Sequence, residues 1–442
     1  MSQSLVLEGS IRKIYLKFVI PAVISMVIYG AMTMIDGLFL GNFDSSEAMA
    51  GINIANPFIQ IILGSTMIIA TGSVSYLGRT IGEMNYTKVE DIFKTNVISL
   101  LIISLCIAIN GFIFADKLAL LFGADDTLFK YTYDYIRIIA LFAPSIAFAE
   151  YFGFTDRLLN HPEKYLIATI IALFTNIITD YIVIKTLHLS SLGAAIATGI
   201  SYTVWLLVVI GPNLSSESVF NIYKGHYHFT LFKESAINGI SEGATYVSTA
   251  LAMYLFNNAF LAYAGSDGVA AFTIISYLGQ FTTLLMFGIS DGISSVVSVN
   301  YGARLYDRVR IIFHSAITIN FIIGLISFGI TNIYTRELIS LFLKDNPEVL
   351  NIAITGARIY SFGFLFVGFN IVQSGFQTAI GNAIESFIIA LSRGIIFIFI
   401  GIMILPHFFS FNGVWMSSPF AEIMCTIIGI CIILLQNELY IK

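Results

Sequence analysis

Long apolar segments are the feature that most constrains the fold of this chain. Blocks of roughly 20 or more apolar residues follow one another, and each is long enough to cross a hydrocarbon layer of about 30 Å as a helix. Only 11% of the 442 residues are charged, whereas 57% are hydrophobic. Soluble proteins carry about 25% charged residues. The sequence therefore predicts an all-α, polytopic membrane protein.

Breaks at glycine, proline, asparagine and charged residues divide the apolar sequence into twelve predicted transmembrane helices, numbered 1 to 12. Their predicted ranges are 14–40, 48–77, 93–115, 130–154, 163–186, 192–212, 233–263, 268–297, 311–334, 352–379, 384–407 and 413–436. An even number of spans places both termini on one side of the membrane. Lys and Arg are concentrated in the segments on that side, and this bias marks the cytoplasmic face. We therefore expect cytoplasmic termini, in the plasma (inner) membrane of a prokaryote.

An internal repeat relates the two halves of the sequence. Residues 47–93 align without a gap to residues 267–313, at an offset of 220 positions. Identical residues recur at this offset, as in the pairs Gly72–Gly292 and Gly82–Gly302. Because the offset spans six helices, both halves have the same orientation in the membrane, and such parallel repeats enclose a central cavity.

The repeat predicts two six-helix lobes. The N-terminal lobe is expected over 1–212, a cytoplasmic linker over 213–232 and the C-terminal lobe over 233–442. This architecture favours a secondary transporter over a channel or a membrane-embedded enzyme. A net charge of −5 argues against a nucleic-acid partner. The sequence has no HExxH motif and no apparent Ser-His-Asp set, so we expect no enzymatic activity and no cofactor.

Polar residues inside the predicted helices are the main candidates for function, because carboxyl groups in the membrane are costly and rare. Asp36 lies near one end of helix 1, and Asp180 near the same-side end of helix 5. Asn176 precedes Asp180 by four residues and so shares its face. Thr198 in helix 6 and Tyr135 in helix 4 lie at a similar depth. We expect these five side chains to converge on one site.

Two ion-binding chemistries suit these residues. Burial favours the neutral form of a carboxyl, so Asp36 and Asp180 are candidates to bind and release protons. Alternatively, Asp36, Asn176, Asp180 and Thr198 provide oxygen ligands for a hard cation such as Na⁺. In a third interpretation, each acid reaches the nearby headgroups, and Asn176 and Thr198 only join helices.

Other polar residues could serve a moving helix or a cavity. Pro21 lies inside helix 1, where it removes a backbone hydrogen bond and permits either a hinge or a static kink. The residues of the second half that could line a cavity are Glu242, Gln280, Gln373, Gln377 and Arg393. Arg393 could instead belong to a structural ion pair. The 38 Phe, 22 Tyr and 12 Met residues would suit a cavity for organic cations.

The sequence resembles the multidrug and toxic compound extrusion (MATE) transporters along essentially its whole length. The resemblance rests on "IP" early in helix 1 and on the motifs "MIDGLFLGN", "AMAGINIANPF", "RTIGEMN", "VNYGAR", "TNIITDYIV", "LGAAIAT" and "FNGVWMSSPFAE". It implies export of organic, often cationic or amphipathic compounds in exchange for H⁺ or Na⁺ by alternating access. We expect small organic substrates, contact with membrane lipids and a monomeric protein.

The resemblance is strongest to the prokaryotic DinF-like branch, whose N-terminal lobe carries the coupling site. By motif match this site falls on Asp36, Tyr135, Asn176, Asp180 and Thr198, and Pro21 matches the position where helix 1 bends. Other branches place acids on helices 7 and 10; Glu242 lies on helix 7, and helix 10 has no acid. A lipid-linked oligosaccharide flippase of the same superfamily is the alternative function.

Overall fold

The structure is a computed structural model that describes residues 4–215, 218–340 and 347–436. The part of the chain that it describes folds into helices and short connections, without β-strands. The predicted cytoplasmic termini, at residues 1–3 and 437–442, lie outside the described residues. We number the membrane helices α1 to α12 in chain order.

The first six membrane helices form the N-terminal lobe. Helix α1 runs through Ile11–Ile14, a π-helical turn at Tyr15–Val19, and Ile20–Phe43. The others are α2 (Ser46–Gly82), α3 (Tyr86–Ile113), α4 (Phe129–Leu141 and Ala143–Leu158), α5 (Pro162–Asp180 with a π-helical turn at Tyr181–Thr186) and α6 (Ser190–Val209).

The C-terminal lobe contains the other six membrane helices. Helices α7 and α8 share the continuous assignment Phe229–Gly302 but are separated by non-helical backbone at Ala264 and Gly265. The remaining helices are α9 (Tyr306–Ile333), α10 (Pro347–Tyr360 and Phe364–Ile380), α11 (Ala383–Leu391, a π-helical turn at Ser392–Ile396, and Phe397–Phe409) and α12 (Phe411–Leu435).

The predicted count of twelve membrane helices is confirmed within the described residues. Gly265, with φ 59°, provides the break between α7 and α8 that the sequence predicted. Helix α4 differs from its prediction, because it bends by 53° between Leu141 and Ala143. Pro144 follows this bend and cannot donate a backbone hydrogen bond to the preceding turn. Helix α7 begins at Phe229, so the end of the predicted linker is helical.

Contacts between equivalent residues confirm the parallel repeat. Gly78 contacts the side chain of Ser298, its equivalent at the offset of 220. Gly82 likewise contacts the backbone of its equivalent, Gly302. A residue that touches its own equivalent lies beside the axis that relates the two halves, so this axis passes between the ends of α2 and α8.

A second set of contacts obeys the same symmetry. Gly72 on α2 packs against the backbone of Gly239 on α7. Their equivalents, Gly292 on α8 and Val19 on α1, are also packed together. In each pair a glycine without a side chain lets two helices approach closely. The two lobes are therefore joined by crossings of α2 with α7 and of α8 with α1.

Hydrogen bonds also join the two lobes near these crossings. Arg79 of α2 donates to the carbonyl oxygens of Thr378 (3.3 Å) and Ala379 (2.9 Å) at the end of α10. Arg157 of α4 donates to the carbonyl oxygen of Asp291 on α8 at 3.3 Å. The closed side of the molecule is thus the side that carries the 213–232 linker.

Candidate functional site

The predicted polar residues of the N-terminal lobe meet where α1, α5 and α6 pack together. Asn176 Nδ2 donates to Asp36 Oδ1 at 2.9 Å. Thr198 Oγ1 donates to Asp36 Oδ2 at 3.0 Å. Each oxygen of the Asp36 carboxylate therefore accepts a hydrogen bond from a different helix, and the half-buried carboxylate links α1 to both α5 and α6.

Asp180 completes the cluster as a second carboxyl group. Its side chain is fully buried and lies within hydrogen-bonding reach of Asp36. Neither of its oxygens accepts a hydrogen bond from a donor group within the described residues, and the same holds for the amide oxygen of Asn176. Two facing carboxylates repel each other unless a proton or cation lies between them. This arrangement can therefore hold one positive charge.

Tyr135 supports the cluster from the side of α4. Its ring is buried, and its hydroxyl lies near Thr198. Thr198 in turn donates to Asp36. The structure thus brings together the five residues that the sequence predicted to converge; their role in ion coupling stays a prediction.

Irregular backbone adjoins two residues that the sequence singled out, Asp180 and Pro21. Asp180 is the last α-helical residue of α5 before the π-helical turn at Tyr181–Thr186. The π-helical turn at Tyr15–Val19 comes just before Pro21 in α1. Since Pro21 cannot donate to the carbonyl of Lys17, a wider turn relieves the misfit. Single π turns occur frequently at functional sites.

A second buried network lies in the N-terminal lobe, around Glu150 of α4. Tyr165 donates to Glu150 Oε2 at 3.1 Å. The Arg157 guanidinium lies 4.3 Å from the centre of the Tyr165 ring and within electrostatic range of Glu150 and Asp291. Glu150 and Arg157 are seven residues apart and so share one face of α4, which was the signal available in the sequence.

Arg393 in the C-terminal lobe belongs to an ion pair. Its Nε lies 2.8 Å from Glu422 Oε1. The amide of Asn370 donates to Glu422 Oε2 at 2.6 Å. Glu242 is half-buried and lies within electrostatic range of Asp291 and Arg393. The network therefore joins α7, α8, α10, α11 and α12.

The three predicted cavity glutamines occupy different environments. Gln280 is exposed on α8. Gln373 is fully buried between α10 and α12, and its amide has no hydrogen-bond partner within the described residues. Gln377 is also fully buried, donates to Gln436 at 3.1 Å and accepts from Asn382 at 2.9 Å. In this conformation only Gln280 is accessible to a ligand.

Comparison with known proteins shows which of these residues lie in segments that match a protein family. The family model described as MatE matches residues 21–182 and 245–403. The first match contains Asp36, Asn176 and Asp180, and the second contains Arg393 but not Glu242. The matched segments leave out all of α6, the linker, the start of α7, the end of α11 and all of α12.

A curated relative and two solved structures are similar over nearly the whole chain. The multidrug export protein MepA of Staphylococcus haemolyticus is 25% identical over 441 residues, covering 98% of this chain and 95% of the relative. A MATE protein solved in complex with MaL6 has a TM-score of 0.93 at 20% identity and full coverage of both chains. A MOP superfamily transporter from Pyrococcus furiosus has a TM-score of 0.90 at 20% identity, covering 100% of this chain and 99% of that one.

Proposed function

This chain belongs to the MatE family, and on that premise we propose that it is an antiporter that exports organic, often cationic or amphipathic, compounds in exchange for H⁺. It is a membrane transporter and not an enzyme. The observation that carries the proposed coupling is the contact between the carboxyl groups of Asp36 and Asp180. Such a pair can share a proton through a hydrogen bond.

The choice of substrate class is supported by similarity and by composition. The S. haemolyticus relative is a multidrug export protein. The 60 Phe and Tyr residues of this chain can provide aromatic faces, which attract organic cations. We therefore infer small organic compounds as cargo, handled by a multi-pass protein of the plasma membrane with cytoplasmic termini.

Ion binding would act through the hydrogen bonds that Asp36 accepts. A hydrogen bond to an ionised acceptor is roughly twice as strong as one between neutral groups. When Asp36 is neutralised, its bonds from Asn176 and Thr198 weaken, and α1 is held less firmly against α5 and α6. Pro21 and the adjoining π-helical turn give α1 a point at which it can bend.

This local change can bias the whole transporter only if it differs between two conformations. The structure is closed at the side of Arg79 and Arg157, which donate across the lobe boundary. Alternating access requires these contacts to break when the opposite side closes. We infer that proton binding near Asp36 shifts the balance between these two arrangements.

Na⁺ is the second candidate for the coupling ion, and the unpartnered oxygens of the site favour it. The two Asp180 oxygens and the Asn176 amide oxygen are buried without a donor within the described residues. Oxygen ligands of this kind suit a hard cation. The flippase alternative gains no such support, because Arg393, which could bind a diphosphate, is already paired with Glu422.

The experiment compares export of ethidium from cells that express wild type, Asp36→Asn and Asp180→Asn at equal protein levels. Gradients of pH and Na⁺ are imposed separately. Asp116→Asn is the matched control, since Asp116 is an exposed acid of the same lobe, outside the cluster. We expect the two cluster variants to lose gradient-driven export and the control to keep it.

Each outcome assigns the coupling ion or rejects the proposal. Export driven by a pH gradient alone identifies H⁺, and export driven by a Na⁺ gradient alone identifies Na⁺. If both cluster variants respond to the gradients as wild type does, the coupling site is elsewhere and Glu242 becomes the next residue to test. Failure of wild type to export any cation tested would contradict the assigned substrate class.

A further inference from the structure

A groove of about 590 Å³ lies on the surface of α9, near the start of this helix. It is lined by Arg310, Ile311, His314, Ser315, Thr318 and Ile319. Arg310 follows the first residue of α9, Tyr306, by four positions, which corresponds to about 6 Å along the helix axis. The polar part of the groove therefore lies at the depth of lipid headgroups, on the closed side of the molecule.

The internal repeat shows that the equivalent surface of the N-terminal lobe is covered. Subtracting 220 from the groove positions gives the face of α3 that includes Asp91 and Lys94. The 213–232 linker packs on this face: Lys94 Nζ donates to the Ile222 carbonyl at 2.6 Å, and Asp91 accepts from the His226 amide at 2.8 Å. On α9 the equivalent positions line an open groove instead.

Two basic side chains, Arg310 and His314, line the groove. The Nε of Arg310 is buried without a hydrogen-bond partner within the described residues. His314 is exposed, and its Nδ1–H donates to the Arg310 carbonyl oxygen at 2.8 Å, which fixes the ring beside the Arg310 side chain. The guanidinium of Arg310 matches the geometry and charge of a phosphate group.

An apolar path continues from this polar end toward the middle of the membrane. Ile311, Ile322 and Ile326 are 51%, 48% and 54% exposed. Their spacing places them along one side of α9, in line with the groove. Inorganic phosphate would use only the polar end, whereas a phospholipid would also place an acyl chain along these isoleucines.

We propose that this groove binds an anionic phospholipid, with Arg310 and His314 at its phosphate and the isoleucines along one acyl chain. Basic pockets at transmembrane helices are suited to anionic headgroups. Beside the groove, Tyr15 of α1 donates to the Ile312 carbonyl of α9 at 2.9 Å. The lipid therefore lies next to a contact between the two lobes. The proposal does not depend on which ion drives transport.

The test is native mass spectrometry of the purified full-length chain in detergent, titrated with phosphatidylglycerol or phosphatidylcholine. We expect phosphatidylglycerol to bind wild type more tightly and Arg310→Gln to weaken its binding about fivefold to tenfold. Thr318→Trp fills the groove without removing charge and should also weaken binding. Arg304→Gln is the matched control, because Arg304 is an exposed arginine before the same helix, outside the groove.

Three results would overturn the proposal. The first is equal binding of the two lipids to wild type. The second is unchanged phosphatidylglycerol binding in both Arg310→Gln and Thr318→Trp, with the folded state verified by thermal unfolding. The third is complete displacement of the lipid by millimolar inorganic phosphate, which would assign the site to free phosphate. The proposal is supported if wild type prefers phosphatidylglycerol, and if this preference is lost in Arg310→Gln and Thr318→Trp but kept in Arg304→Gln.

Discussion

Asn176 donates a hydrogen bond of 2.9 Å to Asp36 across the boundary between α5 and α1. The amide oxygen of the same side chain is buried and accepts no hydrogen bond within the described residues. Asn176 also lies one helical turn from Asp180, on the same face of α5. A single amide thus orients one carboxyl group and keeps an oxygen that, under the proposed function, would face the coupling ion.

We expect Asn176→Leu to slow gradient-driven export about tenfold or more, because a hydrogen bond to a charged group contributes about 1.5–3 kcal/mol. The replacement is of similar size but leaves Asp36 Oδ1 without its donor. Export of ethidium under a fixed imposed gradient measures the change. Asn110→Leu is the control, since Asn110 is exposed on α3 and its amide donates to the carbonyl of Cys106 on the same helix. Equal effects of the two substitutions would argue against a specific role for Asn176.

The sequence was sufficient to predict the twelve helices because each has a long apolar run, and to predict the repeat because glycines recur at a fixed offset. It also placed Asp36 and Asp180 at one depth, since both lie close to helix ends on the same side. It could not predict that Arg79 reaches the carbonyl oxygens of α10. That contact depends on how two distant helices are packed, and no local pattern encodes it.

The backbone irregularities were predicted only in part. Pro21 indicated a disturbance in α1, and the structure places a π-helical turn just before it. The break at Gly265 followed from a glycine between two apolar runs. The π-helical turn at Ser392–Ile396, by contrast, contains Arg393 and no proline. It accompanies the Arg393–Glu422 pair, which joins two helices that are separate in the sequence.

We expect Arg79→Ala to open the closed side of the protein. Arg79 donates two hydrogen bonds across the lobe boundary, and bonds that involve a charged group contribute about 1.5–3 kcal/mol each. Losing them should shift the conformational balance about tenfold or more toward the state open on this side. Spin labels at Met84 and Arg304, equivalent loop residues with φ of 58° and 61°, report the separation of the lobes.

The distance distribution between these labels should extend to longer values in Arg79→Ala than in the parent, both without the three native cysteines. Lys117→Ala is the control. Lys117 lies 5.3 Å from the centre of the Phe114 ring in the same lobe, so its loss removes a positive charge without breaking a bond between lobes. An unchanged distribution in Arg79→Ala would show that the contact does not hold this side closed.

We expect Arg393→Met to be more destabilising alone than when it is combined with Glu422→Gln. Removing one partner of a buried ion pair leaves an unpaired charge and costs about 3–5 kcal/mol, whereas replacing both partners is often nearly neutral. The Arg393–Glu422 distance of 2.8 Å and the low exposure of both side chains, 21% and 12%, place this pair in the buried class.

Thermal unfolding in detergent of the two single variants and the double variant measures this difference. If the double variant unfolds at a temperature close to that of wild type, and well above that of Arg393→Met, the two residues form a structural ion pair. If instead Arg393→Met unfolds like wild type but loses binding of an organic cation or anion, Arg393 contacts cargo and the structural interpretation is wrong. Asn370 would then be the residue that holds Glu422, through its 2.6 Å hydrogen bond.

We expect Gly72→Ala to destabilise the closed arrangement, whereas Gly329→Ala should leave it unchanged or slightly more stable. A Cβ atom at Gly72 would collide with the Ser235 carbonyl and the backbone of Gly239, neither of which can rotate away. A Cβ atom at Gly329 meets nothing within 4 Å. Alanine favours a helix by about 1 kcal/mol over glycine, so the intrinsic gain is the same at both sites. The difference in unfolding temperature between Gly72→Ala and Gly329→Ala therefore measures the cost of separating α2 from α7. Equal unfolding temperatures would show that this crossing tolerates a methyl group.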